Sequence, residues 1–232
     1  MKIAILGANG FLGSKIVEVL NRSGKYEVTG ITRENYTDYL TVGPVETFDI
    51  LINANGNSNK YWANTNPEGD YERSVQSVID SIKDFRFKKY IYISSIDAER
   101  PSCFYGKHKH LAESYVKRCF DWLIIRPCLI IGKTMKKGKV FDILNNEKIY
   151  VTKDSRYHLI TDVDIAERLE FDMLDKARMV LKYYSPNNIS IEDIASICQK
   201  ELNIDVDAKK ECYWFLAPSK FNNCQTCLNQ IL

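Results

Sequence analysis

The stretch Lys2-Ile3-Ala4-Ile5-Leu6-Gly7-Ala8-Asn9-Gly10-Phe11-Leu12-Gly13 decides how the rest of the chain is read. Lys2 to Leu6 reads as a short buried strand, the glycines follow at once, and Ser14 to Leu20 carries Ile16, Val17, Val19 and Leu20 at near-helical spacing. Strand, glycine turn and helix together make a cradle for a dinucleotide. The glycines permit the turn, let the backbone approach a pyrophosphate and let the helix pack on the strand. The helix then aims its free N–H groups and positive dipole end at the phosphates. The spacing is G-x-x-G-x-x-G, and Gly7, Asn9, Gly10, Phe11, Leu12 and Gly13 are the candidate contacts.

A second strand is expected at Glu27 to Ile31, ending in Thr32-Arg33. Arg33 falls about 20 residues beyond the glycines, where an acidic residue would hold the ribose 2′-hydroxyl of NAD and an arginine suits the 2′-phosphate of NADP. Thr32 and Arg33 therefore favour NADP, and Glu34 beside them leaves NAD open.

The chain of 232 residues suits one α/β domain with a modest appended lobe. Its formal net charge is only +2 and both signs are mixed along it, so composition offers no footprint for nucleic acid. Lys136-Lys137-Gly138-Lys139 is the densest basic run and reads as a solvated loop. No stretch has the apolar length of a membrane span and the N-terminus reads as a core strand, so a cytoplasmic protein is expected. The seven cysteines read as reduced thiols. Cys224 and Cys227 lack a second pair to complete a zinc site, and His108, His110 and His158 have no ligand spacing with them, so no metal is expected.

Polar residues broken by Gly43-Pro44 lead to an apolar strand over Asp49 to Ala54. Fewer than about twenty residues separate it from the second strand, too few for a helix, a strand and another helix, so the third strand of a doubly wound sheet is shortened or missing. Asn53, Ala54, Asn55 and Gly56 close this strand where ligands sit in such sheets, and read as the groove floor. Tyr71 to Phe85 reads as a helix with Val75, Val78, Ile79 and Ile82 on its apolar face. Lys89 to Ser94 reads as a strand buried on both faces, and Trp122 to Arg126 as another, reached through a helix ending near Cys119.

A serine at a strand end followed by Tyr-x-x-x-Lys on the next helix forms a second constellation. Tyr105 and Lys109 lie one helical turn apart and share a face. An ammonium a few ångströms from a phenol favours the phenolate, so Lys109 is expected to tune Tyr105. Tyr105 could then pass a proton to or from a carbonyl oxygen as hydride moves, with a serine hydroxyl holding the same oxygen.

These residues together resemble the short-chain dehydrogenase/reductase superfamily, most nearly its extended and atypical branches of NAD(P)-dependent sugar epimerases, dehydratases and nucleotide-sugar reductases. The likeness spans nearly the whole chain. It implies a Rossmann-like doubly wound parallel sheet with a small C-terminal α+β substrate lobe. The resemblance carries cofactor contacts onto Gly7, Gly10 and Gly13, the groove onto Asn53 to Gly56, and catalytic roles onto Ser95, Tyr105 and Lys109, Lys109 also holding the nicotinamide ribose. Arg126-Pro127 with Gly132 is similar to the family's R-P-x-x-x-x-G segment, whose proline region borders the nicotinamide, so Pro127 joins the cofactor set. His158 to Ala166 and Asn188 to Ala195 resemble later segments of the same pattern.

The implied division is a dinucleotide-binding domain over 1–135, with sheet strands returning near 158–185, and a lobe from 136–157 and 186–232. Within that lobe a short helix around Phe141, an amphipathic helix over Ile189 to Leu202 and a Trp214-Phe215-Leu216 run are expected, with Tyr213 and Trp214 as core or interface residues rather than base-stacking ones. The gap between Ser95 and Tyr105 is shorter than in most sugar epimerases, which trims the loop over the substrate. Ser74 stands where the family often has asparagine, and Ser94 remains an alternative to Ser95. Ile96-Asp97 follows Ser95 where the 4,6-dehydratases carry an acidic pair, which argues against dehydration. The implied activity is hydride transfer at a sugar carbon of a nucleotide-activated sugar, by an epimerase or 4-keto reductase. A homodimer through the helices flanking the sheet is a family-level expectation. The rival reading is a non-catalytic NADP-binding sensor of the atypical branch.

Overall fold

The computed structural model describes residues 1–41, 47–213 and 220–232. Gly43-Pro44 and the Trp214-Phe215-Leu216 run lie outside them. In chain order the elements are β1 (Lys2–Leu6), α1 (Phe11–Ser23), β2 (Glu27–Ile31), α2 (Asp38–Thr41), β3 (Thr47–Asn53), α3 (Lys60–Thr65) and α4 (Pro67–Tyr71). A π turn over Glu72–Gln76 joins α4 to α5 (Ser77–Asp84). Then come β4 (Arg86–Ile93), a 3-10 turn at Ile96–Ala98, α6 (Phe104–Val116), β5 (Trp122–Pro127), β6 (Leu129–Ile131), α7 (Lys139–Leu144), β7 (Ile149–Val151), β8 (Arg156–Tyr157) and β9 (Leu159–Thr161). The chain continues through α8 (Asp162–Asp175), β10 (Met179–Tyr183), β11 (Ile189–Ser190), α9 (Ile191–Ile197), β12 (Ile204–Lys209) and α10 (Cys224–Ile231).

The chain forms two compact units. The first holds Met1–Pro127 and Ala166–Lys182, the second Cys128–Ile165 and Tyr183–Leu232. The first is built on a six-stranded sheet in the order β10-β5-β4-β3-β1-β2. The strand pairs from β2 through β1, β3 and β4 to β5 are parallel, with Ile5 opposite Gly30 and Ile52. Strand β2 is an edge, standing last in that order beside β1. The short connection between β2 and β3 dictates this, and the shortened third-strand region read from the sequence is what the sheet shows.

Period-two alternation divides the sheet residues between two layers. Ala4, Leu6, Leu51, Tyr90, Tyr92 and Ile124 form one core cluster with Val78 of α5 and Ala112 and Val116 of α6. Helix α1 buries Leu12, Ile16, Val19 and Leu20. Arg22 of α1 pairs with Glu167 of α8, and Lys25, just past the end of α1, pairs with Glu170. The carboxyl end of α8 is closed by a buried lysine, since Lys89 Nζ donates to the carbonyls of Met173 (2.9 Å) and Lys176 (2.5 Å).

The second unit has its own core, in which Ile131, Ile143, Ile149, Leu159, Ile191, Ile194, Cys224, Cys227 and Leu228 pack together. β6 pairs with β9 in parallel, which places residues 128–135 and 158–165 in this unit rather than with the large sheet, as the sequence division had them. The amphipathic helix expected over Ile189 to Leu202 is shorter, because Ser190 caps α9 in a reciprocal box with Asp193 and the helix closes at Ile197. Tyr213 packs against this core with its ring centroid 5.7 Å from that of Tyr157. All seven cysteines are free thiols. Among the described residues no helix is long and apolar enough to cross a membrane, and no cluster of His, Cys, Asp and Glu is placed to hold a metal ion.

Candidate functional site

The turn after β1 is locked to both neighbouring strands. Gly7 N and Ala8 N donate to Ile31 O at the end of β2 (2.9 and 3.2 Å), while Ala54 N donates to Leu6 O (3.0 Å). Gly7 has φ +79°, which glycine adopts without penalty, and a Cβ there would sit 3.0 Å from Asn55 N. At Gly13 a Cβ would lie 2.1 Å from Gly7 O, so only glycine lets α1 approach the turn this closely. Gly10 is the N-cap of α1 and supplies no side-chain cap, and the first helical turn has no acidic residue. The first-turn N–H groups are thus left to an anion, as pyrophosphate binding requires. Asn9 is exposed at the turn tip, Phe11 is partly buried and Leu12 is buried. Glycines at the close approaches and uncapped donors at the helix start fit a dinucleotide.

At the end of β2, Asn35 Oδ1 accepts from Thr32 N (2.7 Å) and its Nδ2 donates to Gly30 O (3.1 Å), closing the loop. Arg33 is exposed, with no hydrogen-bond partner for its guanidinium among the described residues. The Thr32 hydroxyl holds the Glu34 carboxyl below its ordinary value.

The Asn53 side chain faces the protein interior. It is buried, donates to Tyr90 OH (2.7 Å) and Ser81 Oγ (3.4 Å), and accepts from Asn55 N (2.9 Å). Its work is to shape the loop, which leaves Ala54 and Asn55 bordering the glycine turn and Gly56 beside Lys109.

Helix α6 presents Tyr105, Lys109 and Glu113 on one face at intervals of four. Glu113 is fully buried and anchors that face, accepting from Arg126 Nε (2.8 Å) and Nη2 (2.6 Å) and from Ser94 Oγ (2.6 Å). Ser94 is therefore committed to the anchor, and Ser95 is the serine turned toward Tyr105. Gly106 makes this possible, since a Cβ there would stand 2.6 Å from Asp97 O. With no side chain in the way, the start of α6 closes on the 3-10 turn. Asp97 takes an ion pair from Lys60 (3.2 Å) and caps the turn with Ser95, its N–H donating to Ser95 Oγ (3.2 Å).

The expected tuning of Tyr105 by Lys109 is not what the geometry shows. Burial, followed by the Asp97 carboxylate, holds the Tyr105 phenol above its usual range, with Ser95 and Lys60 acting the other way. The Lys109 ammonium lies 5.3 Å from the Tyr92 ring centroid and 5.9 Å from that of Tyr105, facing the rings rather than the hydroxyl. Burial pushes Lys109 itself down to about 8, opposed by Asp70 and Glu113.

Two contacts join these parts within the first unit. A Cβ on Gly7 would touch Asn55 N, and a Cβ on Gly56, the next residue, would stand 3.3 Å from Lys109 Nζ. The glycine turn, the loop after β3 and the lysine are thus continuous. Pro127 closes β5 as a buried residue. In the second unit a Cβ on Gly132 would meet the Asp162 carboxylate at 2.6 Å, so the two segments resembling family motifs there are packed together.

Sequence reasoning missed Lys60, Asp70 and His108. Asp70 lies four residues before Ser74, and the spacing signalled a shared helical face. His108 adjoins Lys109 in sequence, and for Lys60 no local signal existed.

A family model described as the NAD dependent epimerase/dehydratase family matches residues 3–146. No curated protein matches the sequence. The solved structure of UDP-glucose 4-epimerase from the hyperthermophilic eubacterium Thermotoga maritima, with UDP-glucose, is similar at a TM-score of 0.76 and 16% identity, covering 100% of this chain and 97% of the other. MoeE5 in complex with UDP-glucose and NAD gives 0.81 at 12% identity over 99% and 97% of the two chains. RMD from Pseudomonas aeruginosa complexed with NADPH gives 0.74 at 16% identity over 91% and 89%. The Rossmann-like α/β class expected from the sequence is the class these structures share.

Proposed function

We propose a function for a chain that belongs to the NAD dependent epimerase/dehydratase family: nicotinamide-dependent hydride transfer at a sugar carbon of a nucleotide-activated sugar, as an epimerase or 4-keto reductase. The observation that supports this reading is the contact path from Gly7 through Asn55 and Gly56 to Lys109, which links the glycine turn to the helix face that carries Tyr105 and Lys109.

Gly7, Asn9, Gly10, Phe11, Leu12 and Gly13 would hold the pyrophosphate, and Thr32 and Arg33 the adenosine ribose. NADP is the cofactor that Arg33 favours, and NAD is the one named by the family. Ala54 to Gly56, Pro127 and Lys109 would border the nicotinamide half. When bound, the nicotinamide supplies or receives a hydride. Burial and Asp97 raise the Tyr105 phenol further above neutral pH, where it carries its proton, which suits a donor to a carbonyl oxygen; Ser95 is beside it to hold that oxygen. The neighbours crystallised with UDP-glucose support a nucleotide sugar as the substrate class, and the single acid Asp97 after Ser95 speaks against elimination.

The test is turnover of UDP-hexoses and their 4-keto derivatives with NADP(H) and NAD(H). A reductase consumes reduced cofactor with ketosugar, whereas an epimerase regenerates it each cycle. Tyr105→Phe is expected to cut turnover by at least about 100-fold while leaving dinucleotide affinity within about twofold. Equal turnover in both proteins would overturn the reading.

A further inference from the structure

Helix α3 is short, yet two of its side chains reach the segments that carry Ser95 and Tyr105. Lys60 and Asn64 stand four residues apart and share a face. Lys60 Nζ donates to Asp97 Oδ1 (3.2 Å). Asp97 is in turn bound twice to the serine, since Ser95 Oγ donates to Asp97 Oδ2 (3.3 Å) and accepts from Asp97 N (3.2 Å) in capping the 3-10 turn. At the other position Asn64 Oδ1 accepts from Phe104 N (2.9 Å). Phe104 opens α6 directly before Tyr105, where a helical N–H has no acceptor inside its own helix. The N-cap Cys103 makes no side-chain bond to it either, so an asparagine from a separate helix does the capping.

A brace works only if it is itself held. Trp62, two residues from each of these side chains and so turned away from them, lies against Gly69 of α4, where a Cβ would stand 3.0 Å from the indole. The Arg73 guanidinium covers the same ring, 4.3 Å from its centroid. Ala63 is fully buried, and Asn59 caps α3 by accepting from Trp62 N (3.0 Å). The helix is thus seated on α4 and the π turn and reaches across to the 3-10 turn and α6. Those two need the support. Ser95 lies just past the end of β4 and Tyr105 in the first turn of α6, and helix ends fray when nothing holds them. Two hydroxyls that must address one substrate oxygen tolerate little drift, a displacement of about 1 Å being able to cost about 100-fold in rate.

We propose that Lys60 and Asn64 are positioning residues that make α3 a brace for the serine and the tyrosine: Lys60 fixes the Ser95 hydroxyl through Asp97, and Asn64 fixes Tyr105 by capping the start of α6. The consequence for turnover rests on the function proposed above, since the placement of two hydroxyls matters to hydride chemistry only if that chemistry occurs. The mechanical claim stands apart from it. Each arm of the brace ends on a backbone amide, Asp97 N on one side and Phe104 N on the other, and each amide reports on its own arm.

The test reads those amides by NMR hydrogen exchange in the full cofactor-free chain. Lys60→Met is expected to speed exchange of the Asp97 amide about tenfold, and Asn64→Ala that of the Phe104 amide by a similar factor, with the interior of β4 unchanged. An unmoved amide in either variant would overturn the proposal, and so would equal acceleration throughout β4 and α6, which is general loosening. In turnover, Lys60→Met is expected to lower kcat about tenfold with the sugar KM within about twofold, and Lys60→Arg to return kcat to within about threefold of wild type. In a Ser95→Ala background the same Lys60→Met is expected to cost less than about twofold, because a residue acting through the serine has nothing left to act on. A full tenfold loss in that background would overturn the link from Lys60 to Ser95. If the amides respond as expected and no sugar is turned over, the brace stands and the hydride reading fails; turnover with unmoved amides means the reverse.

Discussion

Around Gly7 and Gly13 the chain makes room by omitting side chains, whereas around Lys109 it fills the space with groups that carry or share charge. At the first site backbone meets backbone, and the closest approach admits no Cβ at all. At the second, Asp70, Tyr92, Tyr105, Lys109 and Glu113 crowd the ends of β4 and α6 under burial that penalises every charge among them. The first arrangement tolerates no added atom and has little dependence on pH. The second can accept isosteric changes and yet be retuned by losing one proton.

The largest effect should come from adding a single methyl group to the first site. Gly13→Ala puts a carbon against the Gly7 carbonyl, and is expected to cost about 3 kcal/mol of stability through overpacking and to weaken dinucleotide binding beyond about 100-fold. Thermal unfolding and a fluorescence titration with NADPH would measure both. Wild-type affinity in that variant would mean that the turn does not receive the pyrophosphate.

Lys109 sharpens the other side. Its folded midpoint of about 8 lies below the unfolded value near 10.4, so between those pH values the unfolded chain binds a proton that the folded chain has released. Stability should therefore rise with pH across this window relative to Lys109→Met, by about 3 kcal/mol in all, and the difference should be flat below it. Denaturant unfolding of both proteins at pH 7, 9 and 10.5 gives the curve, and parallel behaviour would remove the buried ammonium from the account.

Arg33 is the smallest and most local case, a solvated side chain at the edge of the backbone-built half. Arg33→Ala is expected to weaken NADP(H) binding about tenfold and to leave NAD(H) within about twofold. Equal losses for the two cofactors would show that no 2′-phosphate is held there.

The contrast also separates what sequence could reveal from what it could not. β1 and β2 lie where the apolar runs placed them, at Lys2–Leu6 and Glu27–Ile31, because strand and glycine signals are local. The missing strand was legible from a residue count alone. Ser95 could not be told from Ser94, since the choice depends on Glu113 and Arg126 meeting on the buried face of α6. The sign of the effect on Tyr105 was misread for a related reason. Helical spacing put Lys109 on the same face, but only the fold shows the ammonium over the rings and Asp97 beside the phenol. The domain division moved because β6 pairs with β9, a partnership thirty residues apart that no local pattern records.

The π turn between α4 and α5 widens the helix by one residue, and so works as a register shift. Upstream of it Asp70 meets the His108 ring of α6; downstream Val78 packs into the core of the sheet. Excising one residue there would restore a regular helix and swing everything beyond it by about 100°. Such a deletion could satisfy one of these two faces, never both, so this short segment should accept exchanges of residue far more readily than any change in its length.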